Sequence, residues 1–350
     1  MAIINKPSDY FNTVLYTGNG SNDHTITGVG FNADFVWNKN RGSDDHRLFD
    51  KARGINKFVE SNTSDAEVTD AILTTNSDGY VLSNAGEVNA NNGNYASWNW
   101  KANGQGSSNT AGTINTTYTS VNTEAGFSII AYTGNGTADA TIGHGLGVAP
   151  AMILFKNLAS NNWIVYHRSL GTGNYLTLNT TGASDSASGA WCTPSATLIQ
   201  FNQVFGATNT SNASYIAYCF AEKDLYSKFG SYVGNDSTDG SFVYLPFKPA
   251  FVMIKRTNSA NDWIMLDDKR NNYSLPTTQD NFNVVNSRLL ANETNAEAYT
   301  NLLDFVSNGL KMRATYGGVN GANDSFVYMA IAKNPFVTST GNGSIPCTAR

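Results

Sequence analysis

The stretch "YTGNGSNDHTI" (Tyr16 to Ile26) comes back as "YTGNGTADATI" (Tyr132 to Ile142) and, in a worn copy, as "YVGNDSTDGSF" (Tyr232 to Phe242). Each copy reads as the end of a strand, a tight turn and the start of the next strand. A catalytic loop is normally needed once, whereas a structural unit recurs as often as there are units. Internal repetition therefore constrains the fold before any residue chemistry is considered.

The surroundings of the hairpin repeat as well. "GVGFNADFVWNKNR", "GHGLGVAPAMILFKN" and "LPFKPAFVMIKR" follow the three copies, and their cores "DFVWNK", "AMILFK" and "AFVMIK" align without gaps. Such continuous apolar runs suit strands buried on both faces. A second strand follows in "HRLFDKARG", "NWIVYHRSLG" and "DWIMLDDKRN". The turn dipeptides Asp78-Gly79 and Asn308-Gly309 come later in the first and third copies, and the second has "ATLIQFNQ" there without the dipeptide. Each copy closes with an alternating strand, "NYASWNWKA", "SYIAYCFAE" or "SFVYMAIAK". Many short strands separated by frequent turns are the pattern of a small antiparallel sandwich or jelly roll.

The expected fold is all-β, with three tandem antiparallel, jelly-roll-like β-sandwich units of one topology and little helix. Unit 1 with an N-terminal arm covers residues 1–102, unit 2 residues 127–226 and unit 3 residues 227–336. Residues 103–126, rich in Gly, Ser, Thr and Asn, form either a flexible linker or a strand laid on a neighbouring surface, anchored by Ile114, Tyr118 and Val121. Residues 337–350 read as a C-terminal arm. The one helical pattern is "RLLANETNAEAYTNLLDF" (Arg288 to Phe305), with "SDAEVTDAI" as a shorter counterpart in unit 1. Gly18 and Gly134 are expected at positive φ.

Charged residues are only 14% of the chain, against roughly 25% in ordinary soluble proteins. Asn, Thr, Ser and 32 glycines make up the polar share. The net charge of -5 and the lack of a Lys/Arg cluster argue against nucleic acid as a partner. In "IKRTN" the adjacent Lys255 and Arg256 point to opposite faces of a strand. Cys192, Cys219 and Cys347 are odd in number and far apart, which argues against a disulfide framework or a four-ligand zinc site. The N-terminus lacks a basic start and a long apolar core, so no signal peptide is expected. No apolar run approaches a membrane span, so no membrane insertion is expected.

Few residues recommend themselves as chemistry. His144, in "TIGHGLGVAP", lacks catalytic or metal-binding partners and reads as a structural histidine bonded to a turn. His46 and His167, on polar strand edges, read the same way. Asp236 and Asp239 lie in the oxygen-rich turn "GNDSTDG", which could hold Ca²⁺ but fits no EF-hand-type loop and suits an ordinary turn. The pairs Asp44-Asp45 and Asp267-Asp268 could suggest glycosidase carboxylates. Neighbours on a strand face opposite ways, so solvated loop charge is the simpler reading. Trp37, Trp98, Trp100, Trp163, Trp191 and Trp263 could form sugar-stacking platforms, but Trp163 and Trp263 occupy equivalent strand positions, which argues that they pack each unit's core. Trp191, in the insertion "SASGAWCTPS", is the candidate for an exposed contact. No catalytic residue, metal ligand or cofactor is nominated.

The motifs "KPSDYFNTVLYTGNG", "GFNADFVWNKNR", "FSIIAYTGNGTADATIGHGLGVAPAMILFKN", "YIAYCFAEKDLYSKFGSYVGND" and "FKPAFVMIKR" resemble a family of tailed-bacteriophage virion structural proteins with repeated β units. The resemblance spans nearly the whole chain and brings no catalytic residues with it. Unit 1 departs from it in having "GVGFNAD" where unit 2 has "GHGLG". The resemblance implies a non-enzymatic virion component made in the host cytoplasm, such as a head decoration. The alternative is a tail-fibre or appendage module that binds a host receptor or surface glycan. The implied partners are major capsid or tail proteins. Exposed sheet edges and the two core-poor segments add the expectation of a homo-oligomer, a trimer first, with the arm at residues 338–350 contributing to assembly.

Overall fold

The computed structural model describes residues 4–270 and 283–335. The C-terminal arm, with Cys347 and the expectation placed on residues 338–350, lies outside the described residues.

Unit 1 consists of β1 (Phe11–Thr17), β2 (His24–Ile26), β3 (Phe35–Asn40), β4 (His46–Asp50), β5 (Lys57–Val59), β6 (Val68–Thr69), β7 (Leu73–Asn76), β8 (Gly79–Leu82) and β9 (Asn94–Trp100). After β10 (Tyr118–Asn122), unit 2 runs through β11 (Phe127–Thr133), β12 (Ala140–Gly143), β13 (Met152–Asn157), β14 (Ile164–His167), β15 (Asn174–Thr177), β16 (Asp185–Ser186), β17 (Cys192–Pro194), β18 (Leu198–Phe201) and β19 (Ser214–Phe220). Unit 3 comprises β20 (Ser227–Val233), β21 (Phe242–Tyr244), β22 (Phe247–Arg256), β23 (Trp263–Asp267), β24 (Val284–Leu290), β25 (Ala298–Val306), β26 (Gly309–Met312) and β27 (Ser325–Pro335).

Strand order repeats with the sequence. The large sheets read β1-β9-β3-β4-β5-β6 and β11-β19-β13-β14-β15-β16, the second with β10 added beside β11, and the small sheets are β2-β8-β7 and β12-β18-β17. In unit 3 the corresponding strands join into one continuous sheet, β20-β27-β22-β23-β24-β25-β26-β21, because β25 is long enough to serve both layers. All the strand-to-strand pairings are antiparallel.

The apolar runs are continuous because each large sheet is dry on both faces. Along β3, Val36 faces the small sheet and joins a core with Tyr80, Leu82 and Phe49. Units 2 and 3 build their own such cores around Ile153 and Phe155, and around Val252 and Ile254. The opposite face carries Phe35 and Trp37 in unit 1, Met152 and Leu154 in unit 2, and Phe251 and Met253 in unit 3, all in one shared central core. Phe35 stacks on Tyr218 at 4.3 Å, Phe11 meets Phe251 at 5.6 Å and Phe220 meets Phe229 at 6.5 Å. The three units therefore surround a common core rather than following one another as beads.

The recurring hairpin is held the same way each time. Tyr16, Tyr132 and Tyr232 stack on Tyr95, Tyr215 and Phe326 at 4.9, 5.1 and 4.9 Å. Each hydroxyl donates at 2.7 Å to the carbonyl of Val88, Thr208 or Val319. The next residue in each case is a buried asparagine, Asn89, Asn209 or Asn320. Its Oδ1 accepts from the N–H of Asn19, Asn135 or Asn235, and its Nδ2 donates at 2.8 Å to Ser21, Thr137 or Ser237.

Several expectations need correction. Gly18 and Gly134 are not at positive φ; Gly20 and Gly136 are, with Asp236 at the third position. Glycine is required at Gly18 and Gly134 by close approach, because a Cβ would lie 2.2 Å from Ala90 O and 2.4 Å from Thr210 O. The expected helix at Arg288 to Phe305 is instead β24, a turn and β25. Leu289 faces the central core while Leu302, Leu303 and Phe305 fill the unit 3 core, so strand pairing overrides the loose helical spacing. Its counterpart in unit 1 contains β6, not a helix. Of the two readings of residues 103–126, the strand prevails: β10 pairs with β11, and Ile114 lies beside Ile142.

Candidate functional site

The distinctive polar chemistry of the molecule lies where the units meet. The alternation that sends Phe35 and Trp37 inward also sends Lys39 inward, and the same holds for Lys156 and Lys255. All three are fully buried at the ends of β3, β13 and β22. Each ammonium group donates to carbonyls of its own loop and to one carbonyl of another unit. Lys39 reaches Gly42 O at 2.8 Å and Thr294 O of unit 3 at 3.3 Å. Lys156 reaches Asn161 O at 2.8 Å and Ser64 O of unit 1 at 3.2 Å. Lys255 reaches Asn261 O at 2.7 Å and Thr181 O of unit 2 at 3.1 Å. Burial pushes each of these lysines down to about 8.

The same three foreign carbonyls accept backbone N–H groups from Asp44, Asn161 and Asn261 at 3.0, 2.8 and 2.8 Å. The strands opposite add a second link. Trp163 Nε1 donates to Glu60 O at 2.7 Å and Trp263 Nε1 to Thr177 O at 3.0 Å. In unit 1 the equivalent residue is His46, whose Nε2 lies 2.9 Å from Leu290 O. Trp37 Nε1 donates to His46 Nδ1 at 2.9 Å, which fixes the neutral tautomer with its proton on Nε2. Burial accordingly holds His46 well below the ordinary histidine range. Unit 1 thus holds unit 3, unit 2 holds unit 1 and unit 3 holds unit 2, in a closed cycle.

A third ring lies deeper. Tyr218 donates to Asp50 at 2.7 Å, Trp98 donates to Asp267 at 3.0 Å, and His167 Nε2 lies 3.1 Å from Tyr328 O. Asp50 and Asp267 are each paired with a buried arginine three residues on, Arg53 at 2.6 Å and Arg270 at 2.5 Å. Those arginines extend to Glu67 and Glu297. Unit 2 replaces the charged pair with His167 and Leu170. Burial pushes His167 down to about 4, so it sits neutral where the other units hold a carboxylate.

His46 and His167 are therefore not on polar edges but inside the junctions. His144 is buried and bonds a turn, accepting from Leu146 N on Nδ1 at 3.2 Å with Nε2 near Ser195 O at 3.1 Å. Asp239 is exposed and pairs with Lys311 at 2.7 Å, while Asp236 takes the left-handed turn position. The suggested carboxylate pairs are split: Asp267 is buried on Arg270, and Asp268 meets Lys333 at 2.6 Å. Asp45 accepts from Asn62. Lys255 and Arg256 do face opposite ways, Arg256 turning out to Asp324. Trp191 is not an exposed contact. It is fully buried in the unit 2 core and donates to Asn174 O at 3.0 Å.

Between units 1 and 2 the surface opens into a cleft of about 220 Å³ whose lining includes Arg53, Lys57, Glu67, Tyr118 and Leu158. Its charges neutralise one another, Glu67 pairing with both Arg53 and Lys57. Among the described residues, no group of three or more His, Cys, Asp or Glu side chains is placed to hold a metal ion. Sequence reasoning missed the junction role of Lys39, Lys156 and Lys255 and the hairpin asparagines; of these it named only Lys255, for pointing away from Arg256. Their signal was present: a polar residue ends each of the three aligned apolar runs, and "VNANNGNY", "TNTSNASY" and "VNGANDSF" repeat an asparagine before each last strand.

Comparison with curated proteins and with solved structures gives no match. A single family model runs through all three units without interruption, over residues 6–335. The chain belongs to the family described as a domain of unknown function, DUF7483.

Proposed function

We propose that this chain is a non-enzymatic structural protein of a bacteriophage virion, exposed on the particle surface as a head decoration or another particle-building component. One observation carries the reading. Seven buried ionisable groups, Lys39, Lys156, Lys255, His46, His167, Asp50 and Asp267, use their hydrogen bonds to join units of the same chain. Groups committed in this way hold an architecture together and are not free to act as a nucleophile or base. The sequence resemblance to phage structural proteins supplies the particle. Partners in this reading are major capsid or tail proteins, together with further copies of the chain in a homo-oligomer.

A receptor- or glycan-binding appendage is less well supported. Phe242 and Tyr244 are exposed on β21, but Thr25 and Thr141 occupy the position of Phe242, so the aromatic pair does not recur in every unit. Quantitative mass spectrometry of purified virions tests the proposal. Hundreds of copies per particle are expected for a head decoration. A few copies would move the protein to the tail or a fibre, and absence from virions would end the structural reading.

A further inference from the structure

We propose that the C-terminal segment around Gly343 to Thr348 docks in cis on the free edge of β2 in unit 1, as residues 112–117 dock on β12 in unit 2. The pattern comes from unit 2. There Ile114 N donates to Thr141 O at 2.9 Å and Ile114 forms a parallel bridge with Ile142. Thr113 and Thr141 exchange bonds, each backbone N–H meeting the other's hydroxyl at 2.9 and 2.8 Å. Ile114 is buried with Ile142 and Leu146. Gly112 has to be glycine, because a Cβ would lie 2.3 Å from Thr141 O.

Unit 1 offers the same edge uncovered. β2 pairs with β8 on one side and with nothing on the other among the described residues. By register, Thr25 and Ile26 stand where Thr141 and Ile142 do, and Thr25 is exposed. β1, which among the described residues has no counterpart of β10 beside it, is only partly buried over Val14 to Tyr16. In unit 3 the threonine position is Phe242, which has no hydroxyl to exchange.

The tail carries the matching sequence at the matching distance. Trp100 and Ile331 are equivalent, pairing with Phe35 and Phe251. Ile114 lies fourteen residues beyond Trp100, and Ile345 lies fourteen beyond Ile331. Gly112-Thr113-Ile114 thereby aligns with Gly343-Ser344-Ile345, and Thr117 with Thr348. Ser344 keeps the hydroxyl. Pro346 falls at Asn115, whose N–H takes no part in the clasp. The stretch before it departs: Thr340 falls at Asn109 and Thr27 stands where unit 2 has Gly143, so the correspondence begins at Gly343. The cyclic junctions make the geometry consistent. The rotation that carries unit 1 onto unit 2 carries unit 3 onto unit 1, so the segment leaving unit 3 meets unit 1 as the segment leaving unit 1 meets unit 2.

Cys347 aligns with Thr116, which is buried, so docking shields its thiol. Cys192 and Cys219 are buried already. Maleimide labelling of the full-length protein, read by mass spectrometry, reports on the tail directly. Cys347 is expected to react at least about tenfold more slowly than in a synthetic 336–350 peptide. Ile345→Asp and, separately, Thr25→Phe should both restore the peptide's rate without moving the main melting transition. The phenylalanine is already accommodated at the same strand position in unit 3. Labelling at the peptide's rate in the unaltered protein would overturn the proposal. So would protection that neither variant disturbs, or protection lost on dilution, which would place the tail on a second copy.

Discussion

Raising the pH from about 7 to about 8.5 should stabilise this protein, against the usual decline on the alkaline side. Lys39, Lys156 and Lys255 have folded-state values of about 8, below the value near 10.4 of an unfolded lysine. A depressed lysine value means that the folded state surrenders the proton first. Between the two values the unfolded chain binds more protons, so stability rises with pH and levels off near the unfolded value. Over this window each lysine contributes about 0.8 kcal/mol, or roughly 2 kcal/mol for the three. The main opposing groups are the thiols of Cys192 and Cys219, whose ionisation burial suppresses. They cost about 0.4 kcal/mol apiece over the same interval, less together than the three lysines contribute, and the buried tyrosines cost less because unfolded tyrosine titrates near 10. Urea unfolding at several pH values measures the effect as a shift in midpoint with constant slope. Lys156→Met should remove about a third of the rise. A midpoint that stays flat or falls, or a variant that rises like the parent, would refute the assignment of these lysines as buried charges under desolvation.

Other expectations follow from the same geometry. Gly134→Val should lower stability by roughly 1–3 kcal/mol, because its side chain meets Thr210 O; an unchanged melting temperature would refute the close-approach argument. Asp50→Ala removes the acceptor of both Arg53 and Tyr218 and should cost about 3–5 kcal/mol. Adding Arg53→Met should recover part of that loss, and calorimetry of the single and double variants decides it. An isolated fragment of residues 127–226 should fail to give a dispersed NMR spectrum as a soluble monomer. It would bare Phe127, Leu154, Tyr218 and Phe220, which the whole chain buries between units.

The sequence made the units legible because their strands repeat at nearly fixed offsets, and the double-sided burial of "DFVWNK", "AMILFK" and "AFVMIK" followed from continuous apolar runs. It misled where local pattern and tertiary pairing disagreed. Leu289, Leu290 and Leu302 have loose helical spacing, yet β23 on one side and β26 on the other recruit them as strands. Trp191 looked exposed because it has no counterpart in the other units, but an insertion can fill a core as well as decorate a surface. Lys39, Lys156 and Lys255 were hidden by their own chemistry. Lysine is almost never buried unless its charge is satisfied, and the carbonyls that satisfy these three come in part from units far away in sequence.

The closed cycle of junctions has a consequence for how such a chain can change over time. An open solenoid can gain or lose a repeat, since each repeat touches only its neighbours and the ends are capped. Here every unit is both holder and held, and the cycle closes through Lys39 and Thr294 between the first unit and the last. Losing one unit would strand two unmatched faces, and adding a fourth would force the central apolar column apart to a different radius. Length in relatives of this chain should therefore vary in the loops and connecting segments while the number of repeats stays fixed at three.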